Sequence, residues 1–286
     1  MFKGAYTALI TPFKNGKVDY DKLGELIEFQ IENNIDGIVI CGTTGESATL
    51  TDKEKKKVIK YTVETVNGRV PVIAGTGSND TRHTIELSKY AEKVGVDGLL
   101  VVTPYYNKTT QKGLIEHYTA IANHVTCPII IYNVPSRTGV NILPDTVSKL
   151  ANIENIIGIK EASNNFSQIL ELLSKVPKNF ACFSGNDDSI VPLLSIGGAG
   201  VISVLSNVYP NAVHTMCKAY FEGDVKYAKD LQLKYSNFIK LLFKEVNPMP
   251  VKDAMNILGF EVGIPRLPLT TVTEETHELL KTELLK

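Results

Sequence analysis

Short apolar runs alternate with helical patterns along most of this 286-residue chain. Eight of these runs are predicted as strands, at residues 5–10, 37–41, 70–74, 98–102, 128–132, 155–160, 180–183 and 200–204. Strands that alternate with helices predict βαβ units and a parallel sheet. Eight such units, closing near Phe221, fit a (β/α)8 TIM barrel, which has a typical size of about 250 residues.

The loops after the strands favour a barrel over the alternative, a doubly wound sheet. Segments rich in Gly, Thr, Ser, Asn and Tyr follow nearly every predicted strand. A barrel collects all of these segments at one face, whereas an open sheet concentrates its site near a switch point. We therefore predict an α/β fold with a barrel over residues 1–224. Helical periodicity without strand runs predicts a helical region over residues 225–286, packed on the barrel.

Composition excludes several classes of protein. The formal net charge is -1, so there is no basic excess for binding nucleic acid. No run is long enough for a transmembrane helix, and the N-terminus lacks the pattern of a signal peptide. The histidines show no metal-binding spacing, so no transition-metal site is expected. The cysteines lie far apart and predict reduced thiols in a cytoplasmic protein; they are Cys41, Cys127, Cys182 and Cys217.

Lys160 ends the apolar, β-branched run of the sixth predicted strand. A continuous apolar run suits a strand of a parallel sheet that is buried on both faces. An ammonium group held among isoleucines is desolvated, which lowers a lysine's pKa and favours a nucleophilic amine. Such an amine can form a Schiff base with a carbonyl compound. The alternative is that Lys160 marks the exit of the strand into solvent and pairs with Glu161.

Two glycine-rich loops follow predicted strands. Gly42-Thr43-Thr44-Gly45 offers backbone N–H groups and two hydroxyls, which can cradle a carboxylate or a phosphate. A tight structural turn is the alternative. Gly75-Thr76-Gly77 lacks the third glycine of a dinucleotide fingerprint and the GK[ST] of a P-loop. We therefore expect no nucleotide site at the second loop.

Tyr132 ends the strand before the Lys160 strand, and Arg137 lies in the loop that follows it. A tyrosine hydroxyl can relay protons to and from a Schiff base, and Thr43 and Tyr106 are candidate hydrogen-bond partners. Otherwise Tyr132 is an aromatic residue at the barrel rim with its hydroxyl in water. The guanidinium of Arg137 suits bidentate binding of a carboxylate, and a surface salt bridge is the alternative.

Several motifs, in order along the chain, carry a family resemblance. They are Gly42-Thr43-Thr44-Gly45-Glu46, Thr103-Pro104-Tyr105-Tyr106-Asn107, the segment 132–139, Gly158-Ile159-Lys160-Glu161-Ala162 and Ser184-Gly185-Asn186-Asp187. With them the chain resembles the 4-hydroxy-tetrahydrodipicolinate (dihydrodipicolinate) synthases, a group in the pyruvate-dependent class I aldolase family that includes N-acetylneuraminate lyase. The resemblance covers essentially the whole chain, including the segment 247–252.

The resemblance implies a lyase of lysine and diaminopimelate biosynthesis that condenses pyruvate with L-aspartate 4-semialdehyde. Lys160 would form an imine with pyruvate, and neither a metal nor an organic cofactor would be required. Tyr132, Thr43 and Tyr106 would form a proton relay. In the family the residue at the Tyr106 position comes from the neighbouring subunit, so the resemblance implies a homo-oligomer, at least a dimer and usually a tetramer.

The resemblance also implies the groups that bind the substrates. Thr43 and Thr44 would hold the pyruvate carboxylate, Arg137 would bind the semialdehyde carboxylate, and backbone groups of Gly185 and Ile202 would line the pocket. Lyases that act on sialic or sugar acids lack this arginine, which favours the synthase. The remaining alternatives are such a lyase and a non-catalytic barrel that binds a keto acid.

The family's feedback site for lysine lies at a dimer interface, where Tyr105 and Tyr106 are also candidates for subunit contact. Its positions match Ser47, Ala48, Asn79 and Tyr105. Strongly inhibited relatives have histidines at the positions of Asp52 and Lys55, and a glutamate at the position of His83. Because these residues differ here, we expect lysine inhibition to be weak or absent.

Overall fold

The computed structural model describes residues 2–286 and contains a closed barrel of eight parallel strands. The strands of the described chain are β1 (Gly4–Ala8), β2 (Phe13–Lys14), β3 (Lys17–Val18), β4 (Gly37–Ile40), β5 (Val72–Gly75), β6 (Gly98–Val102), β7 (Ile129–Asn133), β8 (Ile156–Glu161), β9 (Ala181–Ser184) and β10 (Gly200–Ser203). β2 and β3 form a separate antiparallel pair, and β1 closes the barrel by pairing with both β4 and β10. The predicted TIM barrel is confirmed, and the doubly wound alternative is wrong.

Helices surround the barrel and continue beyond its last strand. They are α1 (Tyr20–Glu32), α2 (Asp52–Val66), α3 (Thr81–Val94), α4 (Gln111–Ala122), α5 (Pro135–Thr138), α6 (Pro144–Leu150), α7 (Phe166–Lys175), α8 (Ile190–Ser195), α9 (Pro210–Phe221), α10 (Val225–Lys234), α11 (Ser236–Leu242), α12 (Met249–Ile257) and α13 (Glu274–Leu284). Four helices, α10 to α13, follow α9, and no strand follows it among the described residues, as expected. The division of the chain at residue 224 stays a prediction.

Alternation along the strands separates the barrel interior from the surface that faces the helices. Side chains that share the interior apolar cluster are Tyr6, Ala8, Val39, Ile73, Leu100, Ile130, Tyr132, Val134, Ala162, Ala181, Phe183 and Ile202. The intervening strand residues pack against the helices in a second, larger cluster. The strands are therefore buried on both faces, which explains their continuous apolar sequences.

Aromatic rings fill part of the barrel interior. The ring of Tyr6 lies 5.9 Å from the ring of Phe2 and 5.6 Å from that of Phe183, in edge-to-face contacts. Gly37 makes room for Tyr6, because a Cβ atom at Gly37 would lie 2.1 Å from the Tyr6 ring. The absence of a side chain at Gly37 therefore lets an aromatic ring fill this part of the barrel interior.

The C-terminal region, residues 225–286, contacts the barrel through an ion pair. Lys252 of α12 donates to Glu46 of the loop after β4, with a 2.6 Å distance between Nζ and Oε1. Arg266 donates its backbone N–H to the other oxygen of Glu46 at 2.8 Å and also binds Glu54. None of the described helices is long and apolar enough to cross a membrane.

Candidate active site

Lys160 lies inside the barrel at the carboxyl end of β8. It pairs in register with Tyr132 of β7 and Phe183 of β9, and both of these residues belong to the interior cluster. Its side chain is 6% exposed, and its Nζ lies 4.5 Å from the centroid of the Tyr132 ring. Within residues 2–286, no carboxylate oxygen lies within 4.0 Å of this nitrogen. This burial excludes the alternative in which Lys160 leaves the strand for solvent.

Glu161 points to the opposite face of β8 and takes no part in pairing with Lys160. Its carboxylate accepts hydrogen bonds from Asn133 Nδ2 at 3.0 and 3.2 Å and from the backbone N–H of Ser163 at 2.7 Å. Burial raises the pKa of the Glu161 carboxyl, and these donors oppose that effect. The contacts fix the ends of β7 and β8 relative to each other, and so help to hold Tyr132 and Lys160 in register.

Tyr132 is buried beside Lys160, whereas Tyr106 is exposed on the same chain. The Tyr106 side chain is 91% exposed, and its backbone is left-handed with φ of 67°. Among the described residues, no partner donates to or accepts from the Tyr132 hydroxyl within 3.5 Å. Thr43 is partly buried in the loop after β4. The relay of Tyr132, Thr43 and Tyr106, in which Tyr106 is expected from a neighbouring subunit, stays a prediction.

The threonine loop, residues 42–46, turns back sharply after β4. Cys41, just before the loop, and Glu46, its last residue, have left-handed conformations, with φ of 53° and 54°. The Thr11 hydroxyl donates to the backbone oxygen of Gly45 at 2.7 Å. Thr44 is buried, and its Oγ1 accepts from Asn247 Nδ2 at 3.0 Å. The loop is thus a tightly held turn. Such a turn can still present its threonine hydroxyls to a bound carboxylate, so the two interpretations of this loop are compatible.

The glycines of the second loop are explained by close packing. A Cβ atom at Gly75 would lie 2.2 Å from the backbone oxygen of Cys41. A Cβ at Gly77 would lie 2.3 Å from the backbone nitrogen of Val102. These glycines let the backbone of β5 and its loop approach neighbouring segments, including the start of the threonine loop.

Arg137 lies at the barrel mouth, where the C-terminal region holds it. Its guanidinium is exposed and donates from Nη2 to the backbone oxygen of Asn247 at 3.1 Å. The surface salt bridge of the alternative interpretation does not form among the described residues. Asn247 itself has a buried side chain and was not identified by the sequence reasoning as a site residue. The segment 247–252 entered the sequence analysis only as part of the family resemblance. The contact between Asn247 and Thr44 joins residues that are 203 positions apart in the sequence.

Gly185 and Ile202 both lie next to Lys160 in the fold. Gly185 follows β9 and donates its N–H to the backbone oxygen of Glu161 at 2.8 Å. A Cβ atom at Gly185 would lie 3.2 Å from Lys160 Cε and 2.6 Å from Ala162 Cβ. Ile202 is buried in the interior cluster on β10. A side chain at position 185 would therefore crowd the lysine.

Asp187 is a second buried residue that the sequence reasoning did not single out. Its Oδ2 accepts from the backbone N–H groups of Val204 and Leu205 at 3.0 Å each. Burial raises the pKa of this carboxyl, and the hydrogen bonds and the Lys160 charge oppose that effect. Asp187 therefore ties the loop after β9 to the end of β10, next to Ile202. The only feature of the sequence that could have pointed to Asp187 was its place in the motif Ser184-Gly185-Asn186-Asp187.

The residues predicted at a regulatory interface lie around the N-terminal ends of α2 and α3. His83 Nε2 is 3.0 Å from Asp52 Oδ1, and Lys55 Nζ is 4.0 Å from the same oxygen. Asn79 accepts from Asn107 Nδ2 at 3.0 Å through its backbone oxygen. The remaining members, Ser47, Ala48 and Tyr105, range from partly buried to exposed.

The cysteines and the acidic and histidine side chains do not assemble a metal centre among residues 2–286. The thiols of Cys41, Cys127, Cys182 and Cys217 are free and buried. Burial raises the pKa of Cys41 and of Cys127 to about 12, so these thiols are held protonated and unreactive at neutral pH.

Comparison with known proteins assigns the whole chain to one family. The model of the Dihydrodipicolinate synthetase family matches residues 1–286. A 4-hydroxy-tetrahydrodipicolinate synthase of Acetivibrio thermocellus is 59% identical, over 98% of this chain and 96% of that relative. One from Thermoanaerobacter sp. is 53% identical, over 100% and 97%. The crystal structure of dihydrodipicolinate synthase from Aquifex aeolicus has a TM-score of 0.98 at 47% identity, covering 99% of this chain and 97% of that one. The chain belongs to the Dihydrodipicolinate synthetase family.

Proposed function

We propose that this protein condenses pyruvate with L-aspartate 4-semialdehyde to give 4-hydroxy-tetrahydrodipicolinate, as a lyase of lysine and diaminopimelate biosynthesis. The observation that carries the proposal is the buried Lys160 at the barrel mouth, which has no salt-bridge partner among the described residues and lies 4.5 Å from the Tyr132 ring centroid. The names of close relatives support the same reaction. No separate observation favours a sugar-acid lyase or a non-catalytic barrel.

Lys160 is the proposed nucleophile. Its neutral amine adds to the ketone carbon of pyruvate, and loss of water gives an imine between Nζ and that carbon. Removal of a methyl proton converts the imine into an enamine. The enamine carbon then attacks the aldehyde carbon of the second substrate, and the aldehyde oxygen takes up a proton. Finally the amino group of the new chain attacks the imine carbon and displaces Lys160, which closes the ring.

Tyr132 is the proposed proton carrier for these steps, because it lies directly beside the lysine. Thr43 and Tyr106 complete the relay in the proposal. Since the Tyr106 side chain is 91% exposed in its own chain, the proposal takes it from a neighbouring subunit. The protein would then be at least a dimer, and the family resemblance favours a tetramer. A Tyr106→Phe variant should lose turnover while it still forms the pyruvate imine, and unchanged turnover would remove Tyr106 from the relay.

Two groups are proposed to hold the carboxylates of the substrates. Thr43 and Thr44 bind the pyruvate carboxylate through the threonine loop, and Arg137 binds the semialdehyde carboxylate with its exposed guanidinium. Backbone groups of Gly185 and Ile202 line the pocket between them. The two carboxylates are thereby placed so that the enamine and the aldehyde meet near Tyr132.

A turnover assay with alternative substrates tests the proposed reaction. The purified enzyme should consume the semialdehyde only when pyruvate is present, and it should release no pyruvate from N-acetylneuraminate. An Arg137→Ala variant should lose semialdehyde turnover but keep imine formation with pyruvate. Release of pyruvate from a sialic or sugar acid, without turnover of the semialdehyde, would establish the lyase instead. Binding of pyruvate without any turnover would indicate the non-catalytic barrel.

The proposal also includes weak or absent feedback by lysine. His83 Nε2 lies 3.0 Å from the Asp52 carboxylate and Lys55 Nζ lies 4.0 Å from it, so this carboxylate already has two partners within the chain. Lysine titration of the steady-state rate tests this part. Strong inhibition at sub-millimolar lysine would contradict it without affecting the proposed reaction.

A further inference from the structure

Asn247 links the two carboxylate-binding groups of the proposed site. Its side chain is only 5% exposed, and its Nδ2 donates to Thr44 Oγ1 at 3.0 Å. Its backbone oxygen accepts from Nη2 of Arg137 at 3.1 Å. One residue from the C-terminal region therefore contacts Thr44 through its side chain and Arg137 through its main chain.

The direction of the bond between Asn247 and Thr44 determines what the Thr44 hydroxyl can bind. A hydroxyl has one donor hydrogen and two acceptor lone pairs, and a carboxylate is only an acceptor. Because Thr44 Oγ1 accepts from the amide of Asn247, its single hydrogen remains available to a carboxylate. If the hydroxyl donated to residue 247 instead, its lone pairs would face the anion and repel it.

Other contacts hold the backbone of the threonine loop, so this bond has a separate role. Glu46 binds Lys252 at 2.6 Å and the backbone N–H of Arg266 at 2.8 Å. Gly45 accepts from Thr11 at 2.7 Å. Asn247 Oδ1 is buried and has no hydrogen-bond partner in the described part of the chain. Removing the Asn247 amide thus removes one side-chain hydrogen bond, the one that orients the Thr44 hydroxyl.

We propose that Asn247 is a positioning residue that holds the Thr44 hydroxyl as a hydrogen-bond donor to the pyruvate carboxylate. The inference rests on the proposed function, because it takes Thr44 as a group that binds pyruvate. It predicts an asymmetry between the two substrates. Arg137 is held by the main chain of residue 247, so side-chain substitutions there affect pyruvate binding and leave semialdehyde binding nearly unchanged.

The test measures the two substrates separately. The pyruvate concentration that half-saturates borohydride trapping reports pyruvate binding without the second substrate, and the steady-state KM of the semialdehyde reports the Arg137 side. Asn247→Leu, which keeps the shape of the side chain and removes its donor, should raise the half-saturating pyruvate concentration by about tenfold. Asn247→Asp, which forces Thr44 to donate to residue 247, should raise it by about 100-fold.

Two comparisons distinguish this role from a structural one. In a Thr44→Val background the further change Asn247→Leu should have almost no effect on pyruvate binding, because the group through which it acts is gone. Asn256→Leu is the matched control in the same region. Asn256 donates to Gly263 O at 3.0 Å and accepts from Val262 N at 2.8 Å, so this variant should lower the thermal midpoint without shifting either substrate.

Equal shifts for pyruvate and semialdehyde in Asn247→Leu, or additive effects with Thr44→Val, would overturn the inference. If Asn247→Leu does not fold, the Asn247→Asp variant gives the same separation of the two substrates. A wild-type protein that pyruvate and borohydride do not label would refute the proposed function, and this inference with it. Labelled wild type with unaltered Asn247 variants would refute the inference alone.

Discussion

Among residues 2–286, two lysines have buried side chains, and they differ in whether a carboxylate is paired with the amine. Both ammonium groups lie over an aromatic ring, Lys160 at 4.5 Å from the Tyr132 centroid and Lys252 at 4.2 Å from that of Phe13. Lys252 is 1% exposed and is paired with Glu46 at 2.6 Å. Lys160 is almost as buried but has no salt bridge among residues 2–286.

If Lys160 is the nucleophile, as proposed, burial alone does not make a lysine a nucleophile. Burial lowers the pKa of Lys252, but the Glu46 carboxylate opposes this and holds the ammonium form in place. An ammonium group that is bound to a carboxylate has no lone pair for attack on a carbonyl. At the barrel mouth no such partner occupies the amine, and the loops after the strands leave it beside the proposed substrate pocket. The same residue type thus serves as a proposed nucleophile in one region and as a structural cation in the other.

The largest expected effect separates the two lysines by activity. Lys160→Met, which keeps the buried side-chain volume, should lower turnover by at least about a thousandfold, because the imine can no longer form. Its thermal midpoint should not fall, since the substitution removes a buried amine without a salt-bridge partner. Turnover and thermal unfolding of the same preparation measure both effects. A variant that keeps more than a small fraction of activity would contradict the role of Lys160.

The second effect separates them by stability. Lys252→Met leaves Glu46 buried without its partner and should lower the free energy of unfolding by about 3–5 kcal/mol. The double variant Lys252→Met with Glu46→Gln should recover much of this loss, because no uncompensated charge remains. Denaturant unfolding measures both. Lys226→Met is a matched control at an exposed ion pair with Asp230, and it should change little.

Equal stability of Lys252→Met and the wild type would contradict the importance of the buried pair. Equal destabilisation of Lys160→Met and Lys252→Met would contradict the comparison itself, because the two lysines would then have the same structural role.

A third change acts on Lys160 through its neighbour. Gly185→Ala places a methyl group 3.2 Å from Lys160 Cε and should displace the amine. A misplacement on the order of 1 Å can lower turnover by about 100-fold, and we expect a fall of roughly this size. The thermal midpoint should fall as well, because the same Cβ would lie 2.6 Å from Ala162 Cβ. Steady-state kinetics and the rate of borohydride trapping measure it. Normal trapping with normal turnover would mean that the lysine tolerates the displacement.

The sequence predicted the barrel and the position of Lys160 well, because both depend on local patterns. The strand Gly98–Val102 has the predicted ends. Features set by distant contacts were not predicted. Within the predicted helical region 225–286, α10 ends and α11 begins around Tyr235, whose ring packs against the Tyr209 ring at a centroid distance of 5.0 Å. The role of Asn247 was also missed, since its partner Thr44 is far away in sequence.

The smallest expected effect is a pH dependence confined to the Lys252 region. Arg266 holds the pKa of Glu54 down to about 2, from an ordinary value of 4.5. Since the folded state binds this proton less readily than the unfolded state, the pair stabilises the fold above about pH 4.5 and loses this contribution as the pH falls toward 2. Glu54→Gln should therefore flatten the dependence of unfolding free energy on pH in that range.

A matched variant near Lys160 should change the slope of unfolding free energy against pH in the opposite direction. Burial raises the pKa of Glu161, so its protonated form is favoured in the folded state and stability falls as the pH rises above about 4.5. Glu161→Gln removes this opposing contribution. Urea unfolding from acid to neutral pH measures both slopes. Slope changes of the same sign in Glu54→Gln and Glu161→Gln would contradict the opposite pKa shifts of the two carboxyl groups.

Borohydride trapping with pyruvate, followed by peptide mapping, compares the two lysines in one experiment. The wild-type protein is incubated with pyruvate, reduced and digested, and every modified lysine is identified by mass spectrometry. We expect a single adduct on Lys160 and none on Lys252, because only Lys160 is free of a carboxylate at the barrel mouth. An unmodified Lys160, or labelling spread over Lys252 and the surface lysines, would contradict the assignment of Lys160 as the nucleophile.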